Sequence, residues 1–139
     1  MKSPKSPYIK AKNKAWVWFS RYIRIRDCLE TTQFTDQGKC ATCNLYFPFN
    51  ELQAGHSVSG RGNAVLFDEE ICHAQCKRCN IFRGGAYDDF SIFMIKKYGV
   101  DRWIKLQSKK YQTKEYSTDD LNKLADKYKH KFIKLGGII

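Results

Sequence analysis

Apolar side chains recur at helical spacing through "NKAWVWFSRYIRIRDC", which predicts a helix from Asn13 to Cys28. Trp16, Phe19, Tyr22 and Ile23 fall on one face and Arg21 and Arg24 on the other, so this helix should carry a basic stripe. Two further helices are expected late in the chain, one over Asp89 to Tyr98 stopped by Gly99 and one through "VDRWIKL". The last apolar face is the longest. Leu121, Leu124, Tyr128, Phe132 and Leu135 repeat along "STDDLNKLADKYKHKFIKL", behind Ser117 and Asp120 at capping-box spacing. A face of that kind packs on its own domain or on a partner subunit.

Between these helices the pattern changes. "ELQAGHSVS" and "AVLFDEE" read as short strands joined by the glycine-rich loop "GRGN", after the polar, turn-rich "TTQFTDQGK". A helix should begin near Cys76 and Cys79. Residues 1–12, with two Ser-Pro steps and scattered lysines, are expected to form a flexible basic arm. Residues 13–139 then make a single α+β domain, since 139 residues suit one modest core and not two.

Charge narrows the class of partner. The formal charge is +11, and it is carried by the flanks: residues 1–30 hold eight Lys/Arg against two Asp/Glu, and residues 101–139 hold ten against five. Phosphates neutralised by such groups release condensed counterions, so a nucleic acid is the expected partner. No apolar run approaches the roughly 20 residues needed to span a bilayer, and the N-terminus has no stretch of the secretory kind. A cytoplasmic location without membrane contact is expected. In that reducing compartment, six cysteines point to metal or redox chemistry and not to a disulfide framework.

The cysteines are arranged for a metal. Cys40/Cys43 and Cys76/Cys79 are two C-x-x-C knuckles, which together supply the four thiolates of a closed, structural Zn2+ site. Cys28 and Cys72 are left over and read as small buried hydrophobes. His56 lies between the knuckles, Asn80 follows Cys79 directly, and Arg83 comes shortly after. A shared zinc would draw "LQAGHS" and the turn near Cys76 together, bringing His56 and Asn80 across one groove. A neutral imidazole there can act as a general base toward water, and an Asn oxygen can help hold a hard cation.

The order C-x-x-C, "GH", C-x-x-C-N resembles the zinc-stabilised ββα-metal nucleases, also called HNH or His-Me finger. More closely, "FSRYIRIRDC", "CATC", "AGHSVSGRGNAVLFDEE", "HAQCKRCN" and "KYGVDRW" resemble the NinG/Rap recombination endonucleases of lambdoid phages, over about residues 16–135. The layout is also similar to phage T4 endonuclease VII. The resemblance implies a ββα-metal core with His56 as general base, Asn80 as a ligand of catalytic Mg2+ or Mn2+, and the knuckle cysteines on zinc. On position and charge, Arg61 and Arg83 become candidate phosphate contacts, beside Arg21 and Arg24 on the first helix.

The implied substrate is branched DNA such as Holliday junctions and D-loops, cut in the host cytoplasm by a homodimer. The competing classes are a non-catalytic zinc-knuckle nucleic-acid-binding protein and an HNH nuclease that nicks ordinary duplex. One departure bears on the mechanism: Gly55 stands where many HNH nucleases carry a metal-binding Asp. The middle Asn of the HNH triplet is not evident either. Asn63 or His73 would have to substitute, with His73 preferred as a ligand or an orienting group, and Asp68, Glu69 and Glu70 offer further carboxylates.

Overall fold

Ser6 and Pro7 start the first helix earlier than the apolar pattern announces. In the computed structural model, which describes residues 3–60 and 62–138, the Ser6 side chain accepts from the Ile9 N–H at 3.2 Å and α1 runs Pro7–Thr32. A serine cap followed by a proline at the first helical position is a strong start signal. The arm expected over residues 1–12 is therefore helical from Pro7 onward. Gln33, left-handed at φ 66°, closes the helix by donating to the Leu29 carbonyl at 2.9 Å.

α1 is buried on more than one face. Along one side it packs on α5, Thr118–Lys134, through Trp18 against Phe132 and Phe19 edge-on to Tyr128 at 4.9 Å. Further along, Cys28 packs with Leu52 and Ala74 of a β-hairpin. Each large side chain buried here contributes roughly 1.5–3 kcal/mol. The basic stripe is half-buried as a consequence: Arg21 lies over the Trp18 ring at 4.7 Å and Arg24 over Phe49 at 4.6 Å.

α5 starts at the expected capping box, Ser117 Oγ accepting from the Asp120 N–H at 3.0 Å and Asp120 Oδ2 from the Ser117 N–H at 2.9 Å. Leu121, Ala125, Tyr128 and Phe132 are buried. The face considered for a partner subunit is thus spent on α1, within the chain. α3, Tyr87–Tyr98, ends at Gly99 (φ 86°), and α4, Val100–Ser108, follows at once.

Two antiparallel hairpins complete the fold. β1 (Gln37–Lys39) pairs with β2 (Tyr46–Pro48), and β3 (Leu52–His56) pairs with β4 (Cys72–Cys76), with Gln53 opposite Gln75, Gly55 opposite His73 and His56 opposite Cys72. The expected second strand at "AVLFDEE" is instead α2, Asn63–Leu66, and a turn. Asp68 makes that turn, its Oδ1 accepting from the N–H groups of Glu70 and Ile71 at 2.9 and 3.0 Å. The strand that pairs with β3 is the segment leading into the second knuckle.

The outer edge of β4 is covered from α1. Arg26 donates to the Cys72 carbonyl at 2.8 Å, Asp27 Oδ2 accepts from the Ala74 N–H at 2.7 Å, and the Ala74 carbonyl accepts from the Ala41 N–H at 2.9 Å. These bonds satisfy backbone groups that a bare edge would expose. No helix among the described residues is long and apolar enough to cross a membrane.

Candidate metal centre and catalytic hairpin

The knuckle cysteines converge on one point. Their four sulfur atoms lie within 4.8 Å of one another, and Cys43 Sγ is 3.9 Å from Cys76 Sγ. A tetrahedral zinc with bonds of about 2.3 Å has sulfur–sulfur edges of about 3.8 Å, so the cage fits that ion. The first knuckle is a tight turn with Asn44 left-handed at φ 64° and its N–H donating to the Cys40 carbonyl at 3.0 Å. The second joins the end of β4 to a wide helical turn, Arg78–Phe82, where a helix was expected to begin.

The thiols are tuned unequally. Burial pushes Cys40 up, yet hydrogen bonds from the Thr42 hydroxyl and from nearby backbone N–H groups outweigh it and bring the thiol to about 7. Burial pushes Cys43 up to about 12, with Cys40 beside it adding to the rise. Four sulfurs this close ionise together only around a cation. Arg83 borders the cage, donating to Cys79 Sγ at 3.4 Å and pairing with Asp89. Its guanidinium, expected at a phosphate, is committed to the knuckle.

Cys28 and Cys72 stand outside the cluster, both fully buried. Burial pushes the Cys28 thiol up to about 11. They are the small hydrophobes their sequence context suggests.

His56 ends β3 on the side of the hairpin that faces α1. Its ring stacks on Trp16 with centroids 5.3 Å apart and planes 16° from parallel, and Nε2 lies 3.1 Å from the Leu66 carbonyl. Because a carbonyl only accepts, Nε2 carries the hydrogen and the lone pair of the neutral ring is on Nδ1. α2 matters here chiefly because it delivers that carbonyl. Asn63, at its start, takes a hydrogen bond from Lys12 at 3.1 Å. Arg61, expected at a phosphate, lies outside the described residues.

His73 has a different setting. It is 1% exposed, with Nδ1 3.1 Å from Asp27 Oδ2 and Nε2 3.0 Å from the Glu70 carbonyl and 2.9 Å from the Tyr98 hydroxyl. Burial works against the Asp27 carboxylate, but His73 and then Arg26 outweigh it and hold it down to about 2. Both ring nitrogens are engaged within the fold, where a ligand or orienting role at a catalytic metal was expected.

The acidic run is likewise spoken for. Asp68 pairs with Lys109 and Glu70 with Arg102, while Glu69 accepts from Tyr22, Tyr128 and Lys131 at 3.1 Å each.

Asn80 and His56 do not touch. Asn80 sits in the knuckle turn and its Nδ2 donates to Gln53 Oε1 at 2.8 Å. Gln53 is three positions before His56 on β3, about 10 Å along the strand, and alternation puts their side chains on opposite faces. The shared groove expected for His56 and Asn80 is therefore two faces of one hairpin.

Gln75 emerges only in three dimensions. It is fully buried, and its Nε2 donates to Thr42 Oγ1 at 3.1 Å and to the Gly85 carbonyl at 2.9 Å. Its Oε1 is, among the described residues, the buried side-chain polar atom without a hydrogen-bond partner. Leaving such an acceptor unpaired costs roughly 1–3 kcal/mol. A Cβ on residue 55 would lie 1.8 Å from that oxygen, so Gly55 is required by the Gln75 side chain. No spacing in the sequence signals this contact, because it depends on the strand register.

Fold and site together define a small α+β protein in which one β-hairpin runs into a four-cysteine cluster that could hold a metal ion and is covered by helices. The chain belongs to the NinG family, described as bacteriophage lambda NinG protein, whose family model matches residues 2–136. No curated protein and no solved structure matches the chain.

Proposed function

We propose that this protein is a metal-dependent DNA endonuclease of phage recombination that cuts branched DNA. The observation that carries the reading is His56: an imidazole stacked on Trp16 with Nε2 3.1 Å from the Leu66 carbonyl, on the strand that is hydrogen-bonded to the turn of the second cysteine pair. Membership of a phage family and the +11 charge support the substrate class.

In this mechanism Nδ1 of His56 takes a proton from water as the water oxygen attacks phosphorus, and the bond from phosphorus to the 3′ oxygen breaks, leaving a 5′-phosphate. The carbonyl of Leu66 holds the ring in the required tautomer and steadies the imidazolium that forms. Asn80 would offer Oδ1 to a divalent cation, with its Nδ2 tied to Gln53. Magnesium or manganese held there would supply positive charge to the DNA backbone on that face of the hairpin. Neutral amide oxygens suit such hard cations.

His56 and Asn80 occupy two faces of the hairpin, so they would face different stretches of a bound backbone. Beside Gln53 lies a groove of about 530 Å³ lined by Phe47, Glu51, Lys77 and Arg78, whose cations suit a phosphate backbone. Paired cuts across a junction are made most simply by two sites related by a twofold axis, so a homodimer belongs to this reading. A surface other than the apolar face of α5 would form it.

The test is incubation of zinc-loaded protein with four-way junction, duplex and single-stranded DNA, with and without magnesium. The expected result is magnesium-dependent cutting, fastest on the junction. Gly55 favours the rival reading of a zinc-knuckle DNA-binding protein without catalysis, which predicts retention of DNA in gel shifts and no cuts under any metal. Equal cutting of junction and duplex would reduce the function to that of a general nuclease.

A further inference from the structure

The turn that leads from the first cysteine pair into β2 holds a leucine out to solvent. Leu45 is 58% exposed, yet its carbonyl accepts from the Cys40 N–H at 2.8 Å, so the side chain stands on a fixed turn and not on a loose loop. It lines the groove of about 530 Å³ beside Gln53, together with Phe47, Asn50, Glu51, Lys77 and Arg78. Phe47 is held from behind, packing against both the cysteine cluster and the Cys28, Leu52 and Ala74 cluster. Arg26, Arg83 and Arg102 are each paired with a carboxylate, whereas among the described residues no ion pair engages the exposed Lys77 or Arg78.

A duplex backbone accounts for the cations of this groove and not for its apolar wall. In paired DNA the faces of the bases are stacked on one another, so only a base out of the stack can lay its face on Leu45 and Phe47. The groove has the size of a small-ligand cleft, within the usual range of about 300–1,000 Å³. We infer that it receives one unpaired DNA nucleotide, with the base against Leu45 and Phe47 and the phosphate beside Lys77 and Arg78. The Asn50 amide and the Glu51 carboxylate are placed for the polar edge of the base; a carboxylate only accepts, which suits bases that carry an exocyclic amino group. The inference rests on the reading of DNA as the partner and adds the form of DNA to it. A branch point or a displaced strand offers unpaired bases, and a continuous duplex offers none.

The test uses two short duplexes of the same sequence, one with a single bulged 2-aminopurine, which carries an amino group, and one with that base paired to thymine. Because Cys43 and Cys76 also reach the groove, the protein is zinc-loaded, and magnesium is left out so that binding is read without cutting. The bulged probe should bind about tenfold tighter than the paired one, and its fluorescence should change as the base leaves the stack for the groove. Leu45→Ser should lose most of that preference with zinc content at the parental level. Lys77→Gln combined with Arg78→Gln should weaken binding of the bulged probe and lower its salt slope by about one unit.

Equal affinity of the parent for the two probes, or a full preference retained by zinc-loaded Leu45→Ser, would overturn the inference and leave magnesium-dependent cutting intact. Binding of neither probe by the parent would instead remove the DNA reading itself. Where Leu45→Ser loses its zinc, Asn50→Ala decides: a reduced preference for the bulged probe supports the inference, and an unchanged one overturns it.

Discussion

The two faces of the β3–β4 hairpin each hold a histidine, and the two are used in opposite ways. His73 is surrounded by Asp27, Arg26, Tyr98 and the Glu70 carbonyl, with both nitrogens engaged. His56, almost adjacent in the ladder, stacks on Trp16 with its Nε2 at hydrogen-bond distance from the Leu66 carbonyl. One ring has a carboxylate and a guanidinium on its Nδ1 side and a carbonyl and a hydroxyl on its Nε2 side. The other ring is held by an aromatic face and a backbone carbonyl, and the difference is set by which face of the strand each occupies.

The contrast depends first on the metal cage, which fixes the hairpin on the side where apolar burial is thinnest: around the cage the buried set is cysteines and Ala86. Structural zinc sites contribute about 10–16 kcal/mol in small domains. Cys40→Ser or Cys76→Ser should therefore abolish the Gln53–Gln75 ladder and both histidine settings, while the packed pair α1 and α5 retains helical circular dichroism. Elemental analysis should find one zinc per folded chain; a folded chain without metal would contradict the cage's role.

Next in size is the His73 side. Asp27→Asn or His73→Ala leaves buried charged groups without their partners and should destabilise by about 3–5 kcal/mol in denaturant titrations. His56→Ala, which removes one stacked ring, should cost much less, about 1 kcal/mol. Equal losses would erase the distinction between the two histidines.

Acid should find the same asymmetry. The Asp27 carboxyl is held at about 2, below its usual 3.8, so its contribution is fully present above about pH 4 and is lost as pH falls toward 2. The shift corresponds to about 2 kcal/mol, and Asp27→Asn should flatten the acid limb of the stability profile by that amount. An unchanged acid limb would show that the Asp27–His73 contact does not stabilise the fold.

The smallest effect concerns DNA contacts of α1. Arg21 and Arg24 lie over Trp18 and Phe49, whereas Lys10 and Lys14 are exposed. Lys10→Gln and Lys14→Gln should each lower the salt slope of DNA binding by about one unit, and Arg24→Gln by less. The reverse order would place the DNA on the Arg24 side.

The helical layer was legible in the sequence because apolar spacing and end signals are local: the capping box at Ser117 and the stop at Gly99 both appear as expected. The cysteine knuckles were legible for the same reason, each being a short turn. The hairpin was only half legible. "CHAQC" carries two metal-type cysteines, a histidine and a glutamine, and reads as a knuckle approach; its strand character comes from pairing with β3 and from Arg26 and Asp27 covering its edge. The Asp27–His73 pairing was not legible because the two residues are distant in sequence. Gln75 gave no signal because its contact with Gly55 exists only once the register is fixed.

The most direct test of the account is cleavage of a four-way junction, in magnesium, by parent, His56→Ala and a stable conservative variant of the other histidine, His73→Gln, each matched for zinc content and folded fraction. The account predicts that His56→Ala loses a factor of about 100 or more in the cutting rate while still binding the junction, and that folded His73→Gln cuts within a few-fold of the parent. Parental cutting by His56→Ala, or a loss confined to His73→Gln, would contradict it.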